Sequence, residues 1–264
     1  NIEDRLRWQA AHWRVRDFRL TAESVAGLIA RGCPFIVHFV EAGYTQPRLA
    51  IGYDPLRNTL LWGDADERLI GETPLEAILE RQAAFGPRAT VYVPQAAADR
   101  LDSLLLPDAE LYDALAAIQQ ALLEHDRFSA TRAYQRLQAE HPDHQVTLFA
   151  ALALAHYDAH PLRLLDCYEK LLARHPRETT WILGKAGVLR ELHRWEERES
   201  FLIQQAQQAD VDPLILLNLA QTLMVRAPER ECAAWLVRRA LRLRPLAPAG
   251  HFLSGALAWD RQRF

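Results

Sequence analysis

The sequence predicts an α+β domain over residues 1–95, a connector over 96–109 and an all-α helical-repeat domain over 110–264. Two observations carry this. Strand-length runs rich in Val, Ile, Leu and aromatic residues occur only before Pro94, and from about residue 110 the landmarks of a helical pattern recur at a fixed distance. The chain of 264 residues has room for two domains at the usual ~100–200 residues each.

The strand-like runs are WRVRDFRL (13–20), PFIVHFV (34–40), RLAIGYD (48–54), TLLWGD (59–64) and ATVYVP (89–94). Between the first two lies a helix, TAESVAGLIARG. Thr21 stands at its N-cap, Glu23 and Ser24 fall in its first turn, and Gly32 stops it. A second helix is read over 73–86, with Thr73 as N-cap, Pro74 at the first helical position and Gly86 as stop. The connector QAAADRLDSLLLPDAE has small and polar residues with one proline, and is expected to be partly helical.

In the second half, Ala130, Tyr134 and Pro142 are followed 34 residues later by Leu164, Tyr168 and Pro176. Ala233, Ala240 and Pro245 match again, with 69 residues from Pro176 to Pro245, two periods plus one. This period and these landmarks resemble the tetratricopeptide repeat, over about four and a half repeats. The third repeat departs from it: Arg198 stands where a small residue is expected, and Asp210 where the proline should be. In the last segment Ala258 replaces an aromatic.

One helix pair cannot bury its apolar face, whereas a stack of at least ~3 can, and the stack curves into a groove. The resemblance implies that the first helix of each repeat lines that groove. Carried over, the inward offsets fall on Phe149, Ala153, His156, Leu183, Arg190, Asn218, Thr222, Phe252 and Trp259. Of these Phe149, His156, Arg190, Asn218, Thr222 and Trp259 are the expected peptide contacts; core packing between repeats is the competing role. The chain ends after the first helix of a repeat, so a longer parent protein is expected.

The stretch RLAIGYDPLRNTLLWGDADE (48–67) resembles the second-half motif of papain-like bacterial cysteine peptidases, in particular those that cleave after double-glycine leaders. In that family a His opens a strand of the form His-x-x-x-x-x-Gly-Tyr-Asp, and an Asp near the end of the next strand orients it. Gly52, Tyr53 and Asp54 match, Asp64 fits, and IARGCPFIV matches the Gly-x-Pro entry to the preceding strand. The base position holds Gln46, and the nucleophilic Cys of the family would lie upstream of Asn1. Gln cannot take a proton near neutral pH, so the resemblance implies a degenerate site at Gln46 and Asp64 with no catalytic residue.

Other nucleophiles and ligands are weighed in the same way. Cys33, between Gly32 and Pro34, reads as a buried structural thiol, with a reactive one as the alternative. His38 lies within a strand, where a pairing with Cys33 or Asp64 would give a displaced dyad. The remaining histidines show no HExxH or comparable spacing, so no metal or other cofactor is expected. The acidic clusters 64–67 and 196–199 read as turn and solvated helix face.

Thirty-one Lys and Arg against 34 Asp and Glu, a net charge of -3, give no reason to expect nucleic acid as partner. Arg226, Arg230, Arg238, Arg239, Arg242 and Arg244 make 226–244 locally basic, either an exposed helix face or a patch for an acidic peptide. No run of ~18 apolar residues could span a bilayer. Three scattered cysteines fit a reducing, cytoplasmic compartment unless a targeting segment has been removed. The expected function is a non-catalytic interaction protein, a peptidase-like domain joined to a peptide-binding repeat groove. The alternative is an active thiol peptidase or acyltransferase with an upstream Cys, and a third reading is a pure assembly scaffold.

Overall fold

The computed structural model describes residues 12–63 and 70–261. They form two compact units, divided at Asp158.

The first unit begins with a six-stranded sheet: β1 (Trp13–Arg19), β2 (Phe35–Glu41), β3 (Tyr44–Asp54), β4 (Thr59–Gly63), β5 (Ile70–Pro74) and β6 (Arg88–Pro94), in the order β1-β6-β2-β3-β4-β5. Every pairing is antiparallel. Alternation along the strands places Phe35, Val37 and Phe39 of β2 with Val91 and Val93 of β6 in one core. Helix α1 (Ala22–Ala30) and helix α2 (Leu75–Arg81) supply Val25, Leu28, Leu75 and Ile78 to it. Thr21 and Ser24 form the expected capping box, and Gly32 closes α1 at φ +65°.

Two elements differ from the sequence reading. The stretch 70–74 is a strand, and Thr73 does not cap α2: its hydroxyl accepts from Trp62 Nε1–H at 2.9 Å across the β4–β5 pair. The cap signal lost to ladder pairing. Helix α2 ends at Arg81 and continues as a 3₁₀ turn over Ala83–Phe85 before Gly86 at φ +58°. In addition, β3 starts four residues ahead of Arg48, because Gly43 at φ +98° closes a two-residue turn and lets Tyr44 pair with Glu41.

Among the described residues no strand follows Pro94. The connector forms a 3₁₀ segment over Gln95–Leu101, and nine helices then run to Arg261. Helices α3 (Ala109–Leu123), α4 (Arg127–Glu140) and α5 (Gln145–Tyr157) complete the first unit around Tyr112, Ile118, Ala130 and Val146. Helices α6 (Pro161–Arg174), α7 (Thr179–Glu191), α8 (Trp195–Ala206), α9 (Pro213–Leu223), α10 (Arg230–Leu243) and α11 (Pro248–Arg261) make the second. Within it, α7–α10 bury Ile182, Leu202, Leu216 and Val237 in one cluster.

The period is visible in the helix starts: α4, α6 and α8 begin at 127, 161 and 195, each 34 residues on. Pro142, Pro176 and Pro245 each fall in the short turn between one helix and the next. The third repeat therefore keeps its register in spite of Arg198 and Asp210. Ala130, Leu164, Arg198 and Ala233 occupy corresponding places, and all four are buried.

Candidate functional site

The second unit holds a cleft of about 400 Å³ lined from α7 by Arg190, from α8 by Trp195, Glu196, Arg198 and Glu199, and from α9 and the turn after it by Gln221, Thr222, Val225 and Arg226. Its floor is built by the residue that broke the repeat pattern. Arg198 is 5% exposed, and its three bonds all go to uncharged acceptors. Nε–H donates to the Ala186 carbonyl at 3.1 Å, one Nη1–H to Thr222 Oγ1, and one Nη2–H to Asn218 Oδ1 at 2.7 Å. Thr222 in turn donates to the Asn218 carbonyl at 2.9 Å.

A buried guanidinium is tolerated when its donors are satisfied, and here two polar side chains on α9 supply what a small residue would not have needed. Burial holds the Arg198 pKa below its ordinary value, and the charge of Arg190 adds to that. A guanidinium remains protonated in proteins even so.

The remaining charges divide unequally. Arg226 is paired with Glu199 and with Glu229, the latter at 2.9 Å. Among the described residues neither Arg190 nor Arg198 has a carboxylate within ion-pair distance. The rim is open and carries two apolar side chains, Trp195 51% exposed and Val225 82%, among the exposed polar residues Arg190, Glu196, Gln221 and Arg226.

The expected groove residues separate accordingly. Arg190 and Thr222 line this cleft, and Asn218 stands behind it through Arg198. Leu183 packs against the core of the second unit. Phe252 and Trp259 project from α11, 75% and 61% exposed. Phe149, Ala153 and His156 lie on α5 in the first unit, the first two against its helical core and His156 at the surface. Trp195, Gln221 and Val225 were missed by the sequence reading, because their place in the cleft follows from helix packing and not from offsets along one helix.

In the first unit, the Gly-Tyr-Asp stretch organises the β3–β4 turn. Asp54 accepts from the backbone N–H of Leu56 at 2.9 Å and from Arg57 Nε–H at 2.6 Å. The Arg57 side chain, through that hydrogen bond, holds the Asp54 carboxyl below the usual carboxylate range. Tyr53 donates to Asn58 Oδ1 at 2.8 Å, and Gly52 lies at an irregularity of the β3–β4 register, where a Cβ would meet Leu61 Cδ1 at 3.0 Å. Gln46 is exposed and accepts from Arg48 at 3.3 Å. Asp64 lies outside the described residues.

Cys33 is buried, with its thiol 3.7 Å from the Arg31 carbonyl. His38 Nε2 lies within hydrogen-bond distance of Thr90 Oγ1, at 2.7 Å. Thr90 donates to Asp17, which also receives Arg88 at 2.5 Å. This buried chain across β1, β6 and β2 left no signal in the sequence, since its bonded pairs are 52 to 73 residues apart. Among the described residues no cluster of His, Cys, Asp and Glu could hold a metal ion, and no helix is long and apolar enough to cross a membrane.

No protein-family model matches the chain, and no curated protein matches it. Solved structures do. The Pseudomonas aeruginosa pilF structure is 19% identical over 58% of this chain and 72% of its own, with a TM-score of 0.43. A tetratricopeptide repeat protein from Parabacteroides merdae is 9% identical over 56% of this chain and 57% of its own, at 0.40. A thermophilic tetratricopeptide repeat protein from Thermus thermophilus is 17% identical over 56% and 81%, at 0.39.

Proposed function

We propose that this chain is a protein-interaction module whose helical repeats, of tetratricopeptide type, hold a peptide segment of a partner, and that its sheet-bearing domain is peptidase-like without catalysis. The observation that carries the reading is the cleft of the second unit. A concave site of about 400 Å³ with an exposed Trp195 on its rim and fixed polar groups on its floor offers a side-chain anchor and hydrogen bonds together. For the first domain, support comes from Gln46 at the place of the base, where a side chain without a usable proton affinity is exposed to solvent.

The test is a fluorescence-polarisation screen of the whole chain against a random heptapeptide library. At least one class of peptide is expected to bind, and Trp195→Ala should weaken it about tenfold or more, as truncation of a desolvated aromatic anchor does. Trp259→Ala, on α11, tests whether the bound segment extends that far. A library without a binder, or binders indifferent to both substitutions, moves the function away from these repeats.

A further inference from the structure

Glu231, Trp235, Arg238 and Arg242 follow one another on α10 at the spacing i, i+4, i+7 and i+11, which lays them in one narrow stripe along the helix. All four are exposed, Trp235 by 48%. The opposite face of α10 is the buried one and carries Ala233, Ala234, Leu236, Val237 and Ala240. Among the described residues Glu231, Arg238 and Arg242 form no ion pair. Arg238 and Arg242 stand one turn apart and repel each other with no carboxylate between them. Trp235 is held in place: the Arg239 guanidinium lies 5.7 Å from its ring centroid, and Arg239 Nη1–H donates to the Ala206 carbonyl at the end of α8 at 3.2 Å.

The stripe is its own complement. Glu231 and Arg242 are equally far from the midpoint between Leu236 and Val237, on opposite sides of it, and so are Trp235 and Arg238. A second α10 laid against the first end for end brings Glu231 to the partner's Arg242 and Trp235 to the partner's Arg238, and two-fold symmetry repeats both contacts. Each chain then gains a carboxylate for one unrelieved arginine and an aromatic face for the other. The antiparallel arrangement also sets the two helix dipoles head to tail. A uniformly negative partner such as a nucleic acid suits the two arginines but meets Glu231 at the other end of the stripe.

We propose that this chain associates with a second copy of itself through α10, as a two-fold dimer in which the two stripes pack antiparallel. The inference is independent of the segment-binding reading, since none of the four residues lines the cleft. The contact runs along one helix face for ~17 Å, at ~1.5 Å per residue. It is smaller than the ~800 Å² per partner of a standard interface, so the dimer is a weak one, with a dissociation constant on the order of 10–100 μM.

The experiment is sedimentation equilibrium of the whole chain from ~1 to ~300 μM, a range that brackets this dissociation constant. A monomer–dimer equilibrium is expected, weakened about threefold or more when salt rises from ~50 to ~500 mM. Trp235→Ala should weaken it about tenfold. Glu231→Arg and Arg242→Glu each place two like-charge pairs in the contact and should each weaken it about tenfold or more. Both positions are exposed, so the fold is kept. An equimolar mixture of these two single variants restores both ion pairs between unlike chains, and so does the double variant in a pair of like chains; each should return to within about threefold of the natural chain. A chain still monomeric at ~300 μM, reversals that leave association unchanged, or a mixture that associates no better than either single variant overturns the proposal.

Discussion

Arg198 and Asn218 lie 20 residues apart on α8 and α9, and a hydrogen bond of 2.7 Å from Nη2–H to Oδ1 joins them. With Thr222 one turn further along α9, that bond converts a breach of the repeat pattern into a tie between two helices. Removing the guanidinium takes a donor from two half-buried polar side chains. Arg198→Met is expected to cost about 1–3 kcal/mol, the range for lost bonds that water replaces only in part. Replacing all three residues together, as Arg198→Met, Asn218→Leu and Thr222→Val, should restore much of it, because apolar groups of similar volume need no partners. Urea unfolding of the three chains checks the order; a triple variant weaker than the single one would show that the network contributes more than satisfied donors.

Two glycines of α7 make a contrasting pair. At Gly184 a Cβ would stand 2.4 Å from Tyr168 Cε1, a clash with a ring packed against Trp181, whereas at Gly187 no atom of the described residues would lie within 4 Å of it beyond the helix's own backbone and the chain neighbours. Gly184→Ala should destabilise by about 1–3 kcal/mol through overpacking. Gly187→Ala should stabilise by about 0.5–1 kcal/mol, the usual gain in a helix interior. Thermal unfolding of both variants must give opposite signs.

In the sheet, Thr90 links Asp17 to His38 inside a buried chain of hydrogen bonds. Thr90→Val keeps the shape and removes the hydroxyl, so Asp17 and His38 each lose a partner. The expected cost is about 1–3 kcal/mol, read as faster hydrogen exchange at the amides of β6 and its neighbours β1 and β2. Thr90→Ser, which keeps the hydroxyl, should lose less.

The three thiols should separate by reactivity. Cys232 is exposed, whereas Cys33 and Cys167 are buried. Burial pushes the Cys167 thiol up, and the charge of Asp166 adds to that, so less of it is thiolate at any given pH. Iodoacetamide at pH 8 should label Cys232 in the native chain and the other two only after unfolding, as peptide mass mapping would show. Labelling of native Cys33 ahead of Cys232 would instead mark it as an activated nucleophile.

The sequence alone determined the division into a sheet-bearing part and helices, five of the six described strands, and the helical period, because these follow from local periodicity, caps and prolines that act within a few residues. It also located the odd residue of the third repeat. What only the tertiary structure decided was the meaning of that residue. The acceptors of Arg198 lie 20 and 24 residues away on another helix, and no spacing rule connects them. The same limit hid β5, whose short run was outweighed by a cap signal at Thr73 until β4 offered it a ladder and Trp62 a hydrogen bond. Charge in the cleft was equally out of reach: the sequence counts arginines, but only packing shows that Arg226 is paired while Arg190 and Arg198 have no acid partner among the described residues. Local patterns set which backbone elements form, whereas the balance of buried charge is a property of side chains that meet only after those elements have packed.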